Sequence, residues 1–281
     1  MSIKKYIEKI EGFSGKKIII AGATAGIGLE LAKQLLSKNA QLVIMARNLA
    51  KADKVKSSLL EQHPNGMIDI VEYDQSDYEK IDNAAQVILK EHSDFYALVA
   101  NAGILAPNKE QKSKQNNPLT IETNFLGLRR FLDQICRTCT QKRFIFQGSL
   151  VAGSHISKKT NIFSDKYSLM KQYAISKSCV EALWYQYYTS DKNNEYILVE
   201  PGIAITDIIR NFIKPIRVLA NIFAKIFTNS ASKAALPSLK ALTSKAKNGD
   251  YYVPRGLFTI MGYPKKKKVP KKRKREFLLK Y

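Results

Sequence analysis

The chain has 281 residues, 45% of them hydrophobic and 25% charged, and 46 Lys and Arg against 24 Asp and Glu give a formal net charge of +22. Such apolar content excludes a wholly disordered chain, and the length admits one large α/β domain or two small ones. The charge is uneven: residues 245–281 hold 13 Lys and Arg against only Asp250 and Glu276, half of the whole excess.

At the N-terminus, Ile3, Ile7 and Ile10 are spaced like one face of a short helix, without the uninterrupted apolar run of a signal sequence. Lys17–Ala21 reads as a buried parallel strand, and helical spacing follows over Gly28–Ser37. A strand is expected at Gln41–Ala46 and a helix at Leu49–Gln62, closed by His63-Pro64-Asn65-Gly66. Strands are expected at Met67–Tyr73 and Phe95–Ala100, with a helix over Tyr78–His92 between them. Helix Thr120–Thr140, strand Arg143–Gln147, helix Tyr173–Ser190 and strand Glu195–Glu200 continue the alternation. Crossovers of this kind imply an α/β, doubly wound fold, with a mostly parallel sheet and helices on both faces. No linker interrupts the pattern before about residue 263, which gives a domain over 1–263 and a basic tail over 264–281.

Cys136 and Cys139 form a lone CxxC with no second pair or His cluster to complete a zinc site, so no metal is expected. Three cysteines without a leader sequence point to a reducing, cytoplasmic setting. The longest apolar stretch, Ile18 to Leu29, is too short and too glycine-rich to span a bilayer.

The first strand runs straight into Ala21-Gly22-Ala23-Thr24-Ala25-Gly26-Ile27-Gly28 and then a helix. Glycine is needed where the chain turns tightly and where backbone must approach a pyrophosphate, and the helix N-terminus supplies N–H groups for that anion. Gly22-x-x-x-Gly26-x-Gly28 is similar to the cofactor loop of the short-chain dehydrogenase/reductase family. Further motifs match in order: Asp74 after the third strand, Asn101-Ala102-Gly103 after the fourth, Asn124 in the next helix, and Ser149 at the end of the fifth strand. Tyr173-x-x-x-Lys177 and Pro201-Gly202-x-x-x-Thr206 complete the set. The resemblance spans residues 12 to 262. The gap from Ser149 to Tyr173 and Met45-Ala46-Arg47-Asn48 look like the branch of retinol dehydrogenases and protochlorophyllide reductases. Ala21, Ala100, Gln75 and Glu200 depart from the family pattern without removing a reacting group.

The resemblance implies a catalytic set of Asn124, Ser149, Tyr173 and Lys177. It places the cofactor against Gly22, Thr24, Ala25, Gly26, Ile27, Gly28, Arg47, Asn48, Asp74, Gln75, Asn101, Ala102, Gly103, Pro201, Gly202, Ile203 and Thr206, with Tyr173 and Lys177. In that scheme Lys177 also holds the nicotinamide ribose, Ser149 polarises the substrate carbonyl and Asn124 orders a proton-relaying water. A free phenol has a pKa of about 10. Lys177, one helical turn away, is expected to lower it and make Tyr173 an acid/base. Arg47 ends the second strand with no carboxylate until Asp53, which favours NADP over NAD, since a guanidinium suits a 2′-phosphate. The alternative is a solvated arginine.

Downstream, Ile209, Phe212, Ile213, Ile216, Leu219, Phe223 and Ile226 share a helical stripe, and Arg210, Lys214, Arg217 and Lys225 lie mainly opposite, with a kink expected at Pro215. By resemblance this is a substrate lid over about 207–230, and its apolar face implies a hydrophobic carbonyl or alcohol. It also suits a membrane interface, or plain packing on the domain. Nine of the twelve residues 264–275 are basic. A solvated tail, peripheral contact with an anionic membrane and nucleic-acid binding compete for it, the last disfavoured because no recognition motif accompanies it. The resemblance also implies a homo-dimer or tetramer. The whole reads as an NADP-dependent reductase or dehydrogenase; the competing class is an NADP-binding scaffold whose tail engages membrane or nucleic acid.

Overall fold

The structure, a computed structural model, describes residues 1–154, 156–163, 167–203, 229–256, 259–270 and 276–280. Thr206, the expected lid up to residue 228 and the basic residues 271–275 lie outside the described residues.

Strands β1 (Lys17–Ala21), β2 (Gln41–Ala46), β3 (Met67–Glu72), β4 (Ala97–Ala100), β5 (Arg143–Gln147), β6 (Glu195–Val199), β7 (Tyr251–Pro254) and β8 (Pro264–Lys267) form one sheet in the order β3-β2-β1-β4-β5-β6-β7-β8. The first seven are parallel, and β8 alone runs antiparallel to β7. The described helices are α1 (Ile3–Glu8), α2 (Gly26–Leu36), α3 (Leu49–Gln62), α4 (Tyr78–Glu91), α5 (Leu119–Ile121), α6 (Gly127–Thr138) and α7 (Leu169–Ser190), with two short helices, Ala231–Ala234 and Leu236–Ala241. A π-helical turn, Glu122–Leu126, joins α5 to α6 into one kinked rod.

Alternation along each strand splits the core into two layers. Ile18 and Ile20 of β1 enter one layer, with α2 and the two short helices; Ile19 and Ala21 enter the other, with α4, α6 and α7. The second layer is aromatic: Phe144 of β5 and Tyr187 of α7 stack on either side of Tyr196 of β6, each at 5.4 Å between ring centres. The first is aliphatic, drawing Leu42, Ile44, Ile145 and Ile197 from neighbouring strands. Because the strand order runs outward from β1 in one direction and from β4 in the other, a crevice opens at the C-terminal ends of these two strands.

The segment expected as a tail begins inside the sheet. Pro264–Lys267 pair with β7, and Lys266 forms an ion pair with the buried Asp250. Further on, Glu276–Lys280 form a 3-10 turn packed on α7, where Leu278 is fully buried. Cys136, Cys139 and Cys179 are free thiols. Burial pushes Cys136 and Cys179 each up to about 12, so they serve as packing groups rather than nucleophiles. Among the described residues no helix is long and apolar enough to cross a membrane, and no cluster of His, Cys, Asp or Glu forms a metal site.

Candidate active site

The crevice contains a cavity of about 480 Å³ whose walls come from the ends of six strands, β1 to β6. At its floor β1 runs into a glycine loop. Gly22 (φ +78°) and Gly26 (φ +55°) adopt the left-handed conformation that side chains resist. Gly28 leaves room for the Asn101 amide, which donates to the carbonyls of Ala21 and Gly22 at 3.2 and 3.1 Å; a Cβ on Gly28 would stand 2.6 Å from that nitrogen. Ala25 caps α2 without any side-chain hydrogen bond, which leaves the first N–H groups of the helix directed at the cavity mouth with their partial positive charge. Such a floor accepts an anion close to the backbone.

At one end of the cavity Arg47 follows β2, exposed, and Asp74 follows β3, its carboxylate accepting from the backbone N–H and hydroxyl of Ser76 at 2.9 and 2.7 Å. Two neighbours expected here have their side chains engaged elsewhere. Asn48 caps α3, accepting from Lys51 N at 2.8 Å, and is not on the wall. Gln75 lines the cavity, yet its amide is spent on the Tyr73 hydroxyl and on the Thr123 carbonyl. That carbonyl is available because the π-helical turn shifts the bond of the Gly127 N–H to Glu122.

At the other end stand Ser149, Tyr173 and Lys177. Helix α7 starts at Leu169, a turn earlier than expected, so Tyr173 and Lys177 lie well inside it on one face. Burial raises the Tyr173 phenol above its ordinary value, and the nearby Ser149 hydroxyl opposes part of that rise. The lowering expected from Lys177 is absent from this arrangement, because the Lys177 ammonium donates to the Gln147 carbonyl at 3.0 Å. Burial in turn brings Lys177 down to about 8. Asn124 sits behind the wall: its amide pairs reciprocally with the backbone of Ile104, at 2.8 and 2.9 Å, and donates to Ser176 at 2.9 Å. Its side chain thereby ties the loop after β4 to the kinked rod and to α7.

Pro201, Gly202 and Ile203 line the remaining side. Gly202 (φ +74°) is close to the Ile260 carbonyl, where a Cβ would stand at 2.1 Å. Asn229, not anticipated from the sequence, anchors this loop by donating to the Pro201 carbonyl at 3.0 Å and accepting from Gly262 N at 3.0 Å. Thr123, Gln147 and Ile104 also line the cavity without having been anticipated; Ile104, directly after the Asn101-Ala102-Gly103 motif, and Thr123, directly before Asn124, had neighbouring signals. Of the expected cofactor contacts, Gly22, Thr24, Ala25, Gly26, Ile27, Arg47, Asp74, Gln75, Asn101, Ala102, Gly103, Pro201, Gly202 and Ile203 line this one cavity, as do Tyr173 and Lys177; Gly28 supports the loop from behind.

A family model described as short chain dehydrogenase matches residues 16–213. An oxidoreductase of Penicillium decumbens is 30% identical over 206 residues, covering 68% of this chain and 59% of its own. A human 3-keto-steroid reductase/17-beta-hydroxysteroid dehydrogenase 7 is 29% identical over 154 residues, 53% of this chain and 42% of its own. The chain thus spans about half the length of these curated relatives. Among solved structures, L-sorbose reductase from Gluconobacter frateurii complexed with NADPH and L-sorbose superposes with a TM-score of 0.66 at 18% identity, over 84% of this chain and 92% of that one. An uncharacterised protein from Mycobacterium paratuberculosis reaches a TM-score of 0.74 at 19% identity, over 96% and 91%. At such identities these two likenesses speak for the fold.

Proposed function

The chain belongs to the short-chain dehydrogenase family, and on that premise we propose that it is an oxidoreductase that reduces a hydrophobic carbonyl, or oxidises the matching alcohol, with NADP(H). The observation that carries this reading is the placement of Tyr173 and Ser149 together in one cavity floored by an anion-accepting glycine loop. A scaffold that only held a nucleotide would have no use for that pair.

The residues fit the cofactor. Gly22 and Gly26 leave the loop backbone open to close approach; the N-terminus of α2 would hold the pyrophosphate, Asp74 the adenine side and Lys177 the nicotinamide ribose. Thr206, the remaining expected contact, and the substrate lid belong to this reading as well. Bound there, the nicotinamide supplies the hydride that adds to a carbonyl carbon, or takes it back. Tyr173, protonated at neutral pH, donates its proton to the substrate oxygen as negative charge builds on it. The Ser149 hydroxyl orients and polarises that oxygen. The side chain of Asn124 acts by holding Ile104 and Ser176 in place, so a relaying water would be held by backbone at the kink.

Preference for NADP rests on Arg47, exposed at the cavity edge where β2 ends without an acidic residue to bind the ribose hydroxyls and repel a 2′-phosphate. Ile104 and Ile203 on the substrate side, the latter 45% exposed, support an apolar substrate. Assembly as a dimer or tetramer is part of the same proposal and is read by light scattering. The test of function is a panel of short, long-chain, steroid-like and retinoid aldehydes, ketones and alcohols followed by NADPH absorbance. Turnover of apolar carbonyls with NADPH is expected; no turnover of any compound together with no cofactor binding overturns the reading. Arg47→Ala should weaken NADPH binding by about 10- to 100-fold, as a charge-assisted hydrogen bond is worth about 1.5–3 kcal/mol, and leave NADH binding nearly unchanged. Equal losses for both cofactors would remove the phosphate assignment.

A further inference from the structure

One carboxylate near the site has no part in the scheme above. Glu181 lies on α7 four residues beyond Lys177, on the same face, and is fully buried. From β5 the backbone of Gly148 lies so close that a Cβ there would stand 2.9 Å from Glu181 Oε1. Glycine between Gln147 and Ser149 therefore makes room for the acid. Burial of an isolated carboxylate or ammonium is costly, and each becomes tolerable when the other is at hand.

We propose that Glu181 is a positioning residue for Lys177: it lies one helical turn further along the same buried face and beside the Gln147–Gly148 peptide whose carbonyl receives the amine, where its carboxylate favours the charged form of Lys177. The groups that face Lys177 from other elements are neutral: the Gln147 carbonyl on β5, Gly103 on the loop after β4 and Asn124 on the kinked rod. On α7 itself Tyr173 holds its proton. Glu200, buried at the end of β6, is the other acid at this end of the sheet, but the charge that raises Lys177 against its burial comes from Glu181. Without Glu181, the opposite charge that counters the loss of solvent is removed, and the amine would go neutral nearer to physiological pH.

The inference rests on the site reading above, but its test uses the unliganded protein, so the two stand or fall separately. The Lys177 side-chain NMR signal, assigned by its loss in Lys177→Met, should titrate near 8 in the native chain. In Glu181→Gln the midpoint should fall by about one pH unit or more, the effect of removing a neighbouring opposite charge, whereas Glu181→Asp should restore most of it. A role confined to helix packing would leave the midpoint in place. Should Glu181→Gln not fold, the reciprocal measurement decides: the Glu181 carboxyl carbon should titrate at higher pH in Lys177→Met than in the native chain. An unchanged Lys177 midpoint in folded Glu181→Gln, or an unchanged Glu181 midpoint in Lys177→Met, overturns the proposal. Activity without that coupling would leave the proposed function standing.

Discussion

Tyr173 and Lys177 share one helix face, and burial drives their protons in opposite directions. Loss of solvent disfavours whichever form is charged, so the phenol holds its proton to higher pH and the ammonium releases its own near 8. Around neutrality the site therefore presents a proton donor beside a cation. Tyr173→Phe should retain NADPH binding, seen as nicotinamide fluorescence, while kcat drops by about 100- to 10,000-fold, the span of one general acid. Affinity for an anionic cofactor should fall as pH rises through about 8, where Lys177 loses its charge; a titration of Kd against pH reads this directly. For folding the sign is reversed. Below about 8 the buried ammonium costs stability in full, and the cost fades as pH climbs toward the ordinary lysine value, because only the unfolded chain then keeps the proton.

The kink between α5 and α6 shows what an element adds that its residues do not announce. The π-helical turn Glu122–Leu126 opens the rod, and Gly127 then lets the Gln75 backbone approach so closely that a Cβ would stand 1.8 Å from its carbonyl oxygen. Gly127→Ala should cost about 1–3 kcal/mol through overpacking, seen as a lower urea midpoint, and should loosen Asn124 at the same time. The strands β1, β2 and β5 and the helices α3 and α4 were legible because short aliphatic runs and helical periodicity are local signals. The glycine loop, Asp74, Tyr173 and Lys177 were legible because their spacing is set by one turn or one helix. The π-helical turn was not, since it depends on a contact between residues 75 and 127. Nor were β7 and β8: Tyr251–Pro254 has four residues ending in proline, and a run of lysines reads as solvated chain until a neighbouring strand gives it hydrogen bonds. Asn48 and Gln75 were found as positions, but their amides went to a helix cap and to the kink.

Across the molecule, the C-terminal segment joins the two sides of the fold. It adds an edge to the sheet at β8 and then reaches the helix layer, where Leu278 is buried against α7 and Arg129 of α6 donates to the Leu279 carbonyl at 3.3 Å. Leu278→Ala should cost about 2–5 kcal/mol, as for other fully buried leucines, and truncation after Tyr263 should lower the thermal midpoint further, rather than release an intact core from a dispensable tail. Both are read by thermal melting. The outer side of β8 also ends the sheet. Lys266, Lys267 and Lys268 are exposed along it, and the same row on a second copy would have to come within about 5 Å to pair. The Debye length is about 8 Å at physiological ionic strength and about 3 Å in molar salt. Edge-to-edge polymerisation is therefore opposed by repulsion in dilute buffer, and the open rim of the sheet is guarded by the ionic strength of its surroundings as much as by its shape.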